Sequence, residues 1–192
     1  MNTFEAIAAR RSIRRFKPDA VERSAIERLL DAAIRAPSGK NRQPWRFVVL
    51  TDEARIHLAE LIEMRCDALR EQGGNTGSAP ATASIIRQAP VTILFLELPI
   101  PEEWRSFEGA RMIDVQGISA AIQNVCLAAT DLGLGSLWIA DVFYAADEVA
   151  QWLVGPEEHL VAALTIGHPD ENPDARPRRS VTESTLWKAT VT

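Results

Sequence analysis

The chain has 192 residues, enough for one domain with a sizeable core, and its apolar share of 46% and charged share of 24% are those of an ordinary globular protein. A formal net charge of -5 argues against bulk binding to nucleic acid, which needs a basic surface. No uninterrupted apolar run is long enough to cross a bilayer, and the N-terminus MNTFEAIAARRS lacks the ordered regions of a signal peptide, so a cytoplasmic protein without a membrane partner is expected.

Taken in chain order, Thr3 is placed to cap a short helix running to about Arg10, with Phe4, Ile7 and Ala8 on its inner face. RRSIRRFK over 10–17 then gathers five basic residues into eight positions of an acidic chain. If the helical turn continues there, Arg10 shares a face with Arg14 and Arg11 with Arg15. Apolar residues at Ile26, Leu29, Leu30, Ala33 and Ile34 mark an amphipathic helix, ended at Pro37. APSGKNRQPW is a loop by its turn-forming residues, and RFVVL after it reads as a buried strand. A helix over Asp52–Glu71 follows. GGNTGSAPATAS, over 73–84, is small, polar and aperiodic, and is expected to be a mobile surface loop.

APVTILFLEL provides a second strand after Pro90, and 99–111 form a Pro-punctuated connection carrying Trp104 and Phe107. Ile113, Ala120, Ala121, Val125, Ala128 and Ala129 spread apolar groups around much of a long helix, buried centrally or at a subunit interface and stopped by Gly133 and Gly135. SLWIAD and LVAALTIG are strands around a short helix near AADEVAQWL, and the tail HPDENPDARPRRSVTE is expected to run extended over the surface. There is no internal repeat and no linker, which implies one domain over 1–192. Helices outnumber strands without clean βαβ alternation, so the expected class is α+β.

Signatures of hydrolytic, phosphate-loop and dinucleotide chemistry (G-x-S-x-G, H-E-x-x-H, P-loop, G-x-G-x-x-G) are absent. His57, His159 and His168 are scattered, and Cys66 and Cys126 match no metal or redox spacing, so both thiols read as reduced and structural. Three polar clusters remain. Arg10, Arg11, Ser12, Arg14 and Arg15 offer guanidinium forks and a hydroxyl suited to phosphate. PSGKNRQPW offers amide and hydroxyl donors, and Arg176 and Arg178 flank Pro177, pointing the same way in extended backbone. Taken alone, each cluster reads more readily as plain structure: a solvated helix end, an ordinary helix–strand connection and a basic tail.

Their order is informative. Residues 10–50 resemble the opening of the nitroreductase family of FMN-dependent oxidoreductases, R-R-S-x-R-x-F followed after one helix by A-P-S-x-x-N-x-Q-P-W. AAIQNVCLAATDLGLGSLWIAD is similar to the family's central helix and flavin-facing strand, and LTIGHPDENPDARPRR to its closing segment. The resemblance implies an α+β homodimer, with a central, mostly antiparallel sheet flanked by helices and two FMN sites at the interface. It implies that Arg10, Ser12 and Arg14, with Arg11 adjacent, hold the FMN phosphate, ribityl chain and ring edge. Ser38, Gly39 and Asn41 match the loop that reaches the flavin from the partner subunit, shaped by Pro37. Trp138, Ile139 and Ala140 match the strand end that packs on the isoalloxazine, and Arg176 and Arg178 match tail residues that return to the phosphate.

The chain departs from the family in having Ala140 where glycine is frequent and His168 where tyrosine is usual. The implied activity is that of an NAD(P)H oxidoreductase passing hydride through flavin N5 to nitroaromatic, quinone or similar acceptors by ping-pong kinetics. No separate catalytic residue is needed, because the flavin carries the chemistry. The 73–84 loop and the Trp104/Phe107 segment are candidates for the substrate entrance. Alternatives are reductive dehalogenation, flavin cleavage or enone reduction on the same scaffold, or a flavin-binding module without turnover.

Overall fold

In the computed structural model, which describes residues 1–153 and 157–189, the strands form one antiparallel sheet. β1 (Trp45–Leu50), β2 (Val91–Glu97), β3 (Gly135–Ile139) and β4 (His159–Gly167) lie in the order β1-β2-β4-β3. Side-chain alternation divides the sheet into two buried faces. Ile93, Phe95, Ala162 and Leu164 face α2 (Arg23–Ile34) and α5 (Ala110–Asp131). Leu94, Leu96, Leu137, Ile139 and Ala163 face α3 (Asp52–Glu71), α4 (Ala79–Gln88) and α6 (Ala146–Leu153). Burial on both faces is why β2 is apolar at five of its seven positions, all but Thr92 and Glu97. The expected α+β class and antiparallel sheet are those observed. The expected domain extent of 1–192 includes 154–156 and 190–192, which lie outside the described residues.

α5 is the central helix. Ile118, Ala121, Ile122, Val125 and Ala129 pack against the sheet and against Leu29 and Ala33 of α2. Its length and a mean hydropathy of 1.2 are those of a membrane span, but that composition serves the core. Gly133, with φ +72, ends it, and the Leu134 N–H turns back to Ala129 O at 2.8 Å. Gly135 is the first residue of β3 and not a second stop.

Three expectations are corrected. α1 (Thr3–Ala9) is capped by Asn2 and not Thr3: the Asn2 side chain accepts from the Glu5 N–H while Glu5 returns to the Asn2 N–H. Ala6 is the residue it buries, leaving Phe4 84% and Ile7 52% exposed. The helix docks on α5 through this small residue, and the Met1 amino group pairs with Asp131 at the far end of α5. Finally, only the first part of 73–84 is a loop. From Ala79 onward it is α4, where Ala79, Thr82, Ala83 and Ile86 recur at helical spacing and pack into the second core. Small side chains hide that period from composition. Ser78 and Thr82 donate to Asp141 at 2.7 and 2.5 Å, so the segment is pinned to the turn after β3. The tail runs without regular structure over 168–180, as expected, and then forms a short helix α7 (Val181–Ser184) that composition did not announce.

Candidate functional site

The basic run is extended, not helical. Backbone turns out of α1 at Arg10 (φ -55, ψ 133), Ser12 bridges Ser136 in parallel, and the Ile13 N–H donates to Ser136 O at 2.9 Å. The expected i,i+4 pairing of Arg10 with Arg14 and Arg11 with Arg15 is therefore absent. The cause is apolar: Ile13 and Phe16 bury beside Ala89, and only an extended chain at the sheet edge places them there while leaving the arginines outside.

The same edge recruits the tail. Phe16 bridges Pro169 in antiparallel sense, the Lys17 N–H donates to His168 O and the Asp170 N–H to Arg15 O, both at 2.9 Å. Glu171 accepts from the Arg14 and Arg15 N–H groups at 2.5 and 3.3 Å. These contacts fold 173–178 back over 10–14. The result is a cleft of about 490 Å³ lined by Arg10, Arg11, Ser12, Arg14, Arg176 and Arg178, with Asp174 its single acid. Arg11 has its guanidinium on backbone carbonyls, at 2.6 Å from Ala8 O, 2.9 Å from Arg10 O and 3.3 Å from Pro173 O. Among the described residues, Arg10, Arg14, Arg176 and Arg178 belong to no ion pair. Four such guanidinium groups around one opening concentrate positive potential where a compact dianion fits.

Trp138 and Ile139 end the same edge strand, and Ala140 follows it in helical backbone (φ -96, ψ -20). Trp138 pairs with Leu164 and is 41% exposed on the α5 side of the sheet, an apolar surface open to a planar ring. Ile139 points into the opposite core, so only its backbone faces outward. From Ser136 to Ile139 the strand covers about 10 Å, leading away from the arginines. Beneath the cleft, burial pushes the Cys126 thiol up, and Ser136 and Arg10 oppose the shift.

The 38–41 loop is brought to α5 but not to the cleft. A Cβ on Gly39 would stand 2.5 Å from Ile113 Cγ2, and one on Gly117 3.2 Å from Pro37 O, so two glycines permit this contact. Lys40, Asn41 and Gln43 have φ of 49, 54 and 53, and the Ser38 hydroxyl accepts from the Gln43 N–H at 2.9 Å. Along α5, Gly117 and Cys126 are nine residues apart, about 14 Å, so within one chain the loop and the arginines sit at different levels of one helix. Lys40 lies over the Trp104 ring at 5.1 Å, which puts the expected entrance segment above this loop. Residues 73–78 lie beside Tyr144 and Asp141 instead.

A buried ionic group was not foreseen. Asp114 and Glu97 are fully buried; Asp114 Oδ2 is 3.0 Å from Arg42 Nη1 and Glu97 Oε2 is 3.2 Å from Arg111 Nε. Burial raises both carboxyl pKa values against the pull of those guanidinium groups. The signal was present in VTILFLEL, where one glutamate stands near the end of a mostly apolar stretch.

The donor set fits FMN: guanidinium groups and a hydroxyl for the phosphate, an exposed indole beside the edge strand, and a glycine-containing loop. The comparisons agree. The Nitroreductase family model matches residues 7–168. A protein of Methanothermobacter thermautotrophicus named as an NADH dehydrogenase/NAD(P)H nitroreductase is 32% identical over 92% of this chain and 82% of its own length. A crystal structure from Desulfovibrio desulfuricans, described as a nitroreductase in complex with FMN, is 31% identical over 99% of both chains with a TM-score of 0.77. A 5,6-dimethylbenzimidazole synthase of Rhodospirillum rubrum is 31% identical over 84% of this chain and 79% of its own.

Proposed function

The chain belongs to the nitroreductase family, and on that premise we propose that it is an FMN-dependent NAD(P)H oxidoreductase acting on nitroaromatics, quinones or similar electron-poor acceptors. The arginine cleft carries the reading, since it joins both sequence-distant halves of a phosphate clamp. Bound FMN supplies the redox chemistry, taking reducing equivalents from NADH or NADPH and releasing them to the acceptor in alternating half-reactions.

The protein's part is to bind, orient and shield. Arg10, Arg14, Arg176 and Arg178 neutralise the phosphate, with Ser12 completing its oxygen shell. Arg11 holds the tail in place through Pro173 O. Trp138 gives the ring system a flat apolar support, with the outward backbone of Ile139 and Ala140 beside it. Ser38, Gly39 and Asn41, on the loop braced by Pro37, serve the site of a second copy of the chain. Their separation from the arginines along α5 supports this arrangement, as do the exposed Phe4 and Ile7 of α1, apolar groups that a homodimer would cover. Buried free thiols accord with a cytoplasmic setting.

The test is the absorbance spectrum of the purified protein, followed by anaerobic NADH and NADPH titration and then a nitroaromatic or quinone. About one FMN per chain that bleaches and recovers supports the proposal; a protein that FMN cannot reconstitute refutes it. The identity with a 5,6-dimethylbenzimidazole synthase favours a second reading, flavin cleavage for cofactor synthesis. Oxygen-dependent loss of flavin absorbance after reduction, in place of recovery, would select it.

A further inference from the structure

We propose that Arg42 is the positioning residue of the proposed cofactor loop: clamped between buried Asp114 and the carbonyls of Leu98 and Pro99, it fixes the 38–41 turn against α5 and couples it to the 99–107 segment above. The inference rests on the reading that this loop faces the flavin.

Three observations support the role. Asp114 is fully buried and the Arg42 side chain only 11% exposed. A buried ion pair often adds no stability over apolar residues of similar volume, so the geometry it imposes is the part to explain. Second, Lys40, Asn41 and Gln43 all take left-handed backbone although none is glycine. Such conformations persist only where the surroundings over-determine them. The bonds that do so converge on this turn: Gln43 N–H to Ser38 Oγ, and the guanidinium of Arg42 itself. Third, Arg42 Nη2 donates to Leu98 O at 3.1 Å and Pro99 O at 2.5 Å, where the chain leaves β2 for the segment carrying Trp104. Lys40 over Trp104 makes a second tie between the same two stretches. A lysine does not reproduce this grip, because its single ammonium lacks the fork that sends Nη1 to Asp114 and Nη2 to the two carbonyls.

Amide hydrogen exchange and FMN titration of Arg42→Lys test it, with Arg46→Gln as control. Arg46, on neighbouring β1, pairs with Glu158 and has no bond to the loop among the described residues. Arg42→Lys is expected to speed exchange across 38–43 and 99–107 together, leave α3 and α4 unchanged, weaken FMN by roughly tenfold and alter its visible circular dichroism. The control should change none of these. If Arg42→Lys binds FMN with wild-type affinity, dichroism and exchange, the positioning role is wrong while the flavin assignment stands. If the wild type binds no FMN, the functional reading falls, and joint loosening of the two segments still decides the clamp. Should the variant not fold, wild-type exchange decides: protection across 38–43 matching the first turns of α5 supports the clamp, and exchange as fast as that of 185–189 overturns it.

Discussion

Arg11 and Pro173 are 162 positions apart, yet the Arg11 Nε–H donates to the Pro173 carbonyl at 3.3 Å. That bond distinguishes Arg11 from its neighbours. Arg10 and Arg178 line the same cleft without belonging to any ion pair among the described residues, so their charge is available to a ligand. Replacing either by alanine should weaken FMN by about 1.5 to 3 kcal/mol, roughly ten- to a hundredfold, with little change in Tm. Arg11→Ala should instead lower protection of 170–176 and weaken FMN less. Flavin titration with amide exchange checks both; stoichiometric FMN in Arg10→Ala and Arg178→Ala would end the clamp assignment.

Gly39 against Ile113 is the tightest contact of the loop, and an alanine there would put its Cβ 2.5 Å from Ile113 Cγ2. Gly39→Ala should destabilise by about 1–3 kcal/mol through forced displacement. Because the clash is with one methyl group, Gly39→Ala combined with Ile113→Ala should cost less than the sum of the two single changes. A double-mutant cycle on thermal unfolding measures this coupling. Additive losses would mean that the loop shifts freely.

Glu97 sets a pH dependence. Burial raises its pKa above the ordinary 4.5, with Arg111 only partly opposing. A native pKa above the unfolded one gives stability that is fully present below the unfolded pKa and lost as pH rises through the native value. Glu97→Gln is neutral at every pH and escapes that loss, while Arg111, 59% exposed, keeps its hydration. The difference in Tm, variant minus wild type, should therefore grow more positive from about pH 4 to about pH 8. A difference that falls over this range would show the pair with Arg111 to dominate.

Cys66 and Cys126 are free and buried, and burial raises both thiol pKa values. A thiol reagent at neutral pH should leave native protein unmodified over minutes and titrate two groups after denaturation. Prompt reaction of Cys126 would mean that the layer between α5 and Ser136 opens readily.

Local physics made much of this molecule legible. Mostly apolar runs mark β2 and β4, the apolar spacing of 26–34 marks α2, and the bounds expected for α3, Asp52–Glu71, are those observed. The basic run, the 37–41 turn and Arg176 with Arg178 stood out as polar clusters at loop positions, and their order carried the family resemblance. Periodicity failed where the wrong period was chosen or small residues blurred it: residues 10–15 are extended because Ile13 must reach the core, and α4 lay concealed in alanine and threonine.

Other features exist only once the chain is closed. Arg10 meets Arg178 because Phe16 pairs with Pro169 at the sheet edge, and nothing local to either arginine states that. Phe4 and Ile7 face outward because α1 meets α5 through Ala6, with Met1 paired to Asp131 beside it. Arg42 finds Asp114 because antiparallel β1 and β2 bring Pro44 beside Leu98, placing the loop before one strand next to the chain leaving the other. The sequence by itself determined β2, β4, α2 and α3 and set phosphate-type donors at three loop positions, since periodicity and residue type act over a few positions. Only the tertiary structure decided which distant groups share a site, because sheet register and helix docking set those distances.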